Sequence, residues 1–100
     1  MTTHYLKTWP APFEQVWNGR KTFEIRKDDR GFEVGDTLRL REYVLDADAY
    51  TGREVRVHVT YIARDAWGLP HDLVVMGWSH RYCSTDANVA ATYALGVEEP

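Results

Sequence analysis

Lys21, Glu24 and Arg26 stand within six residues of one another, in the run Gly-Arg-Lys-Thr-Phe-Glu-Ile-Arg over residues 19–26. An ammonium, a carboxylate and a guanidinium fork this close can bind a phosphate or a polar heterocycle, or polarise a substrate carbonyl. Arg26 suits an anion or a base edge, and Lys21 suits a phosphate or a carbonyl oxygen. Glu24 can neutralise Lys21 or accept hydrogen bonds from the exocyclic amine of a base. Thr22 shares the Glu24 and Arg26 side of an extended chain, Lys21 has the opposite parity, and Trp9 can stack on a base. Arg41 and Tyr43 are the remaining candidates for the rim of such a cleft. The competing reading is a solvated strand face with one surface ion pair, worth about 0–1 kcal/mol.

The elements that would position these groups follow from hydrophobic spacing. Phe13, Val16 and Trp17 recur at helical intervals, which predicts a helix from Pro12 to about Asn18, closed by Gly19 in a positive-φ conformation. Residues 22–27 then alternate as a strand, with Phe23 and Ile25 expected on the core side and Thr22, Glu24 and Arg26 on the outer side. Residues 4–8 read as a first strand. A third strand runs over 37–44, with Leu38 and Leu40 inward and Arg39, Arg41 and Tyr43 outward. Val55, Val57, Val59 and Tyr61 alternate with polar residues in a fourth, and residues 72–78, apolar on both faces, form a fifth. The pattern predicts a mostly-β α+β domain of about five strands with one helix between the first two. Residues 1–80 are expected to form that domain. Residues 81–100 read as a C-terminal tail, in which the alanine-rich stretch 84–95 predicts a short helix.

One hundred residues with 13 aromatics suffice for one core. The single Cys83 excludes an internal disulfide and a thiolate cluster. The four histidines are scattered, and no metal-ligand spacing or phosphate-cradling loop occurs, so no metal or cofactor is expected. No secretory leader is expected, because Lys7 and the polar residues after Trp9 interrupt any apolar N-terminal run, and no apolar run reaches the roughly 20 residues that a membrane span needs. A soluble, cytoplasmic protein is therefore expected. The net charge is −3, but Asp86, Glu98 and Glu99 lie beyond the last basic residue, Arg81, so residues 1–81 balance 12 basic against 12 acidic groups. Seven of the 12 basic residues fall between positions 20 and 41. That balance argues against a strong non-specific duplex binder and favours a pocket for one nucleotide or a short single strand.

The spacing Gly-x-Lys-x-x-Glu-x-Arg over residues 19–26 resembles the signature of the ASCH domains, small β-barrels related to the RNA-binding PUA domains. His4-x-Leu6-Lys7, Pro10-x-x-Phe13, Asp29-Arg30-x-Phe32-x-Val34-Gly35-Asp36, Leu40-x-Glu42-Tyr43 and Tyr50-Thr51-Gly52-Arg53 extend the likeness over residues 4–78. Within the superfamily they resemble an uncharacterised ASCH-like family of bacteria and phages. The resemblance implies a PUA-like barrel that binds RNA, a nucleotide or a modified nucleoside through Lys21, Glu24 and Arg26. If phage-encoded, the chain would work in the host cytoplasm. A second class is a metal-independent hydrolase, an amidohydrolase on acylated cytidine or a ribonuclease, with Lys21 and Glu24 as the catalytic pair. In the amidohydrolases Lys21 matches the motif lysine, but Glu24 stands where they carry a nucleophilic threonine. A third class is a protein-interaction module acting through the tail. Oligomeric state is left open by all three.

Overall fold

The structure, a computed structural model, describes residues 1–85. Seven strands and one helix follow in the order β1 (Thr3–Thr8), α1 (Pro10–Trp17), β2 (Phe23–Lys27), β3 (Thr37–Val44), β4 (Ala49–His58), β5 (Tyr61–Ala63), β6 (Leu73–Gly77) and β7 (Arg81–Thr85). They form a mostly-β α+β domain with the helix between the first two strands, as the hydrophobic spacing predicts. The strands make two sheets and no closed barrel. One sheet has the order β1-β3-β4-β7, with β1 parallel to β3, and the other has the order β2-β6-β5. Both share one core, in which Leu6, Leu38, Leu40, Val55 and Val57 meet Phe13 and Val16 of the helix and Val74 and Met76 of β6.

Three sequence expectations are corrected. The helix takes in Pro10, which the spacing leaves in a turn, while Pro12 lies in the first turn as expected: a proline at the first helical position surrenders an N–H that has no intrahelical partner anyway. The expected fourth strand is two strands, because Val59 N–H turns to Asp36 O (2.9 Å) and Thr60 N–H to Gly77 O (2.8 Å), which carries the chain into the second sheet. Residues 81–85, expected to open the tail, pair with Arg53–Val57 of β4 as β7. Ser84 and Thr85 of the expected second helix thus belong to a strand, and residues 86–95 of that helix lie outside the described residues.

Two polar clusters hold the frame. Arg53 Nε and Nη2 donate to both oxygens of Glu42 (2.8 and 2.9 Å), Nη2 also reaches Glu14 (3.1 Å), and the guanidinium lies over the Trp17 ring at 4.8 Å. One side chain thereby ties α1 to the larger sheet, and the Arg53 contact holds the Glu42 carboxyl below its usual range. At the start of β3, Asp36 accepts hydrogen bonds from Thr2 N–H and Glu33 N–H (3.0 Å each) and lies 2.8 Å from His4 Nε2, which in turn packs on Phe32. Burial pushes the Asp36 carboxyl up, but these hydrogen bonds outweigh it and leave the group below the ordinary carboxylate value.

A carboxyl depressed in the folded state stabilises fully above its unfolded value of about 3.9, and that contribution is lost as pH falls through the lower folded value. Asp36→Asn is expected to cost about 1–3 kcal/mol at neutral pH and to shrink the loss of stability on acidification. Urea unfolding of both proteins at about pH 7 and pH 3 measures this. Equal acid losses in the two would remove Asp36 from the account.

Candidate functional site

The octapeptide meets the fold at a helix end and a sheet edge. α1 closes with Asn18 N–H on Glu14 O and Gly19 N–H on Val16 O (both 3.1 Å), and Gly19 takes φ +82°. Lys21 N–H then donates back to Gln15 O at 2.9 Å, so the helix terminus itself places Lys21. β2 follows, antiparallel to β6, with Glu24 opposite Met76 and Arg26 opposite Val74. Residues directly opposite on an antiparallel ladder share a face. Val74 and Met76 are core residues, so Glu24 and Arg26 point to the core side, and Glu24 is only 5 % exposed. Phe23 and Ile25, expected inward, point outward and are 42 % and 48 % exposed. The side chains that define the motif therefore occupy the face opposite to the expected one, a consequence of register with β6.

Glu24 is held at both oxygens. Lys21 Nζ lies 3.2 Å from Oε1, and Arg26 Nε donates to Oε2 at 2.7 Å. Arg26 Nη2 crosses to the other sheet and donates to Lys7 O of β1 at 2.6 Å. Arg30 Nη1 makes a parallel crossing to Tyr5 O at 3.0 Å. β1 and β2 are both edge strands, so two guanidinium groups join the sheets here where a ladder would close a barrel. Main-chain hydrogen bonds at Thr22 O–Trp78 N and Asp28 N–Asp72 O set the alternation along β2. By that alternation Glu24 and Arg26 bond to β6, while the N–H and C=O groups of Phe23 and Ile25 face the free edge. No described residue bonds to them there.

An open cleft of about 700 Å³ lies over this seam, lined by Lys7, Thr8, Trp9, Pro12, Lys21, Phe23, Glu24, Ile25, Arg26, Lys27 and Leu73. Four of the seven sequence candidates, Trp9, Lys21, Glu24 and Arg26, are brought together in it. Trp9 is 49 % exposed at the strand-to-helix corner, with its ring 5.9 Å from that of Tyr43. The other three candidates lie elsewhere. Tyr43 is buried behind Trp9, under the Lys7 ammonium at 4.4 Å from its ring. Arg41, expected on an outward cleft rim, is buried; its Nε donates to Glu54 (2.8 Å) and its guanidinium lies over Tyr5 at 4.0 Å. A register shift between Arg41 and Tyr43 in the β3–β4 ladder buries successive residues there and defeats simple alternation. Thr22 faces a smaller pocket on the far side of Lys21.

Sequence reasoning missed Lys7, Lys27, Pro12, Phe23 and Ile25 as cleft residues. Lys7 was visible only as part of a motif on a separate strand, and nothing local reports that β1 and β2 run side by side. The lining holds four cations, Lys7, Lys21, Arg26 and Lys27, against one carboxylate, a surplus of three positive charges beside an exposed indole. Such a lining favours an anionic ligand with a flat apolar part. Among the described residues no group of three or more His, Cys, Asp or Glu could hold a metal ion, and no helix is long and apolar enough to cross a membrane.

These features define a small two-sheet α+β domain with a cationic, aromatic-flanked cleft at an unladdered seam. A family model described as a domain of unknown function, DUF3850, matches residues 3–78, and the chain belongs to that family. The matched residues contain the whole cleft. The chain is also similar to a protein of Escherichia phage P2 described as an uncharacterized 12.9 kDa protein in the GpA 3′ region, at 42 % identity over 57 residues. The match covers 57 % of this chain and half of that protein's length.

Among the described residues, Arg26 is the side chain that hydrogen-bonds to both Glu24 and β1. Arg26→Lys keeps the charge but cannot hold both contacts with one planar fork. The expected outcome is a loss of about 1–3 kcal/mol, read as a lower urea midpoint at unchanged slope. An unchanged midpoint would mean that the seam holds without this bridge.

Proposed function

We propose that this chain is an ASCH-like, PUA-related domain that binds RNA or a nucleotide-like ligand in the Trp9–Lys21–Glu24–Arg26 cleft. The observation that carries the reading is the coincidence of three surplus cations, an exposed indole and a free strand edge in one opening. Each answers a part of a nucleotide. The ammonium groups of Lys7 and Lys21 suit a phosphate, and Trp9 offers a stacking face worth about 1–3 kcal/mol per base. The outward N–H and C=O of Ile25 form an adjacent donor and acceptor, the pair that the hydrogen-bonding edge of a base needs. Arg26 is already committed to Glu24 and Lys7 O, so its part is to keep the cleft in shape. Glu24 is likewise engaged at both oxygens, and taking a proton from water would weaken its pairing with both Lys21 and Arg26; binding is therefore preferred over hydrolysis.

A ligand-observed NMR screen of ribonucleosides, nucleotides and short RNAs tests this, with Trp9→Ala and Lys21→Ala proteins in parallel. Binding weakened about tenfold or more in each variant is the expected result. Hits that persist unchanged in both variants would place the site elsewhere, and no hit at millimolar ligand would sink the reading. Consumption of a ligand overnight, lost in Lys21→Ala, would convert the reading to an enzyme.

A further inference from the structure

Lys21 stands between two openings. On the side away from the cleft lies a pocket of about 90 Å³, whose lining includes Lys21, Thr22, Ser79, His80 and Arg81 and no carboxylate. The space is large enough for a tetrahedral anion. Its cation is oriented. Arg81 Nε donates to Trp17 O at 2.9 Å, which fixes the guanidinium plane at the end of α1. No described residue accepts from either Nη group. The guanidinium rests against Gly19, where an added Cβ would sit 2.6 Å from Nη1, so this approach requires glycine. Thr22 is held at the mouth by Trp78 N–H, which donates to Thr22 O at 3.2 Å. A guanidinium whose Nη groups meet no acceptor among the described residues lines this space together with Lys21, Thr22 and Ser79, a lining rich in donor groups.

We propose that this pocket is a phosphate subsite, so that the ligand is a phosphodiester-linked chain with one base in the cleft and the adjoining phosphate on Arg81. The inference rests on the nucleotide reading above. Lys21 borders both compartments and spans the step from base to phosphate. A phosphate on Arg81 gains charge-assisted hydrogen bonds that a nucleoside lacks, which makes ligand length, and not base identity, the main determinant of affinity.

The test uses the full chain, ¹⁵N-labelled, titrated with the four ribonucleosides, with the matching ribodinucleoside monophosphates and with pyrophosphate, in wild type, Arg81→Gln and Ser79→Glu. Ser79 is exposed and its side chain makes no hydrogen bond among the described residues, so Ser79→Glu, which places a carboxylate at the pocket, serves where Arg81→Gln disturbs Trp17. Dinucleotides are expected to bind about tenfold tighter than nucleosides and to shift Thr22, Ser79, His80 and the Arg81 side chain together with the cleft. Both variants are expected to remove that advantage and leave nucleoside binding unchanged. Cleft shifts with silent residues 79–81, or an advantage that survives both variants, would overturn the subsite and leave the nucleotide reading standing. Pyrophosphate shifts at Arg81 that are lost in the variants, with no nucleoside or dinucleotide at the cleft, would support the anion pocket and overturn the nucleotide reading.

Discussion

A carboxylate on the core side of a sheet must be neutralised where it stands, and the meeting of the two sheets depends on how Glu24 meets that demand. Its oxygens are divided between Lys21 at 3.2 Å and Arg26 at 2.7 Å. The first partner comes from the end of α1, and the second carries the contact on to β1 through Lys7 O. Helix, smaller sheet and larger sheet thus converge on one carboxylate. Coulomb attraction in a partly buried site is stronger than at the surface, and breaking such a cluster from one side strands a charge. The arrangement explains why β1 and β2 can lie side by side unladdered: guanidinium groups of Arg26 and Arg30 take the carbonyls that a neighbouring strand would otherwise claim.

An unladdered seam leaves two strand edges near one another, a hazard for unwanted pairing. Lys7 and Lys27 flank this opening, and charge of that kind on an edge discourages a neutral strand from docking. The same charges admit an anion. Exposure of Phe23 and Ile25 beside Trp9 would be costly on a featureless surface, yet it makes sense as the apolar wall of a binding cleft.

Much of this was legible in the sequence, and the failures have physical causes. Phe13, Val16 and Gly19 marked the helix and its end, and Leu38 and Leu40 marked the core face of β3, because local spacing dictates both. The strand of the octapeptide was legible, but its two faces were read the wrong way round. Alternation separates two faces of a strand but does not say which is buried, and the usual assumption that Phe and Ile lie inside fails on an edge strand at a cleft. Register with Val74 and Met76 decided the face, and that information lies about fifty residues away. Arg41 misled for a related reason. Its partner Glu54 is visible as a cross-strand pair only once β3 and β4 are aligned, and the register shift near Tyr43 breaks the alternation that suggested solvent. Residues 81–85 have little apolar character and are exposed along their whole length, so only their ladder with β4 makes them a strand.

On the proposed reading, Lys21 is the residue through which these constraints reach a ligand. An ammonium has three donors, and a single hydrogen bond to Glu24 leaves two. A ligand anion can therefore join Lys21 without displacing Glu24, so binding need not break the cluster that holds the sheets together. Arg26 differs, with Nε and Nη2 both spent on the frame. The motif divides labour between a cation that braces and a cation that has capacity to spare. Because the main chain of Lys21 is bonded to Gln15 and its ammonium to Glu24, the spare donors are presented with little conformational entropy left to lose, a condition for selective binding by so small a site.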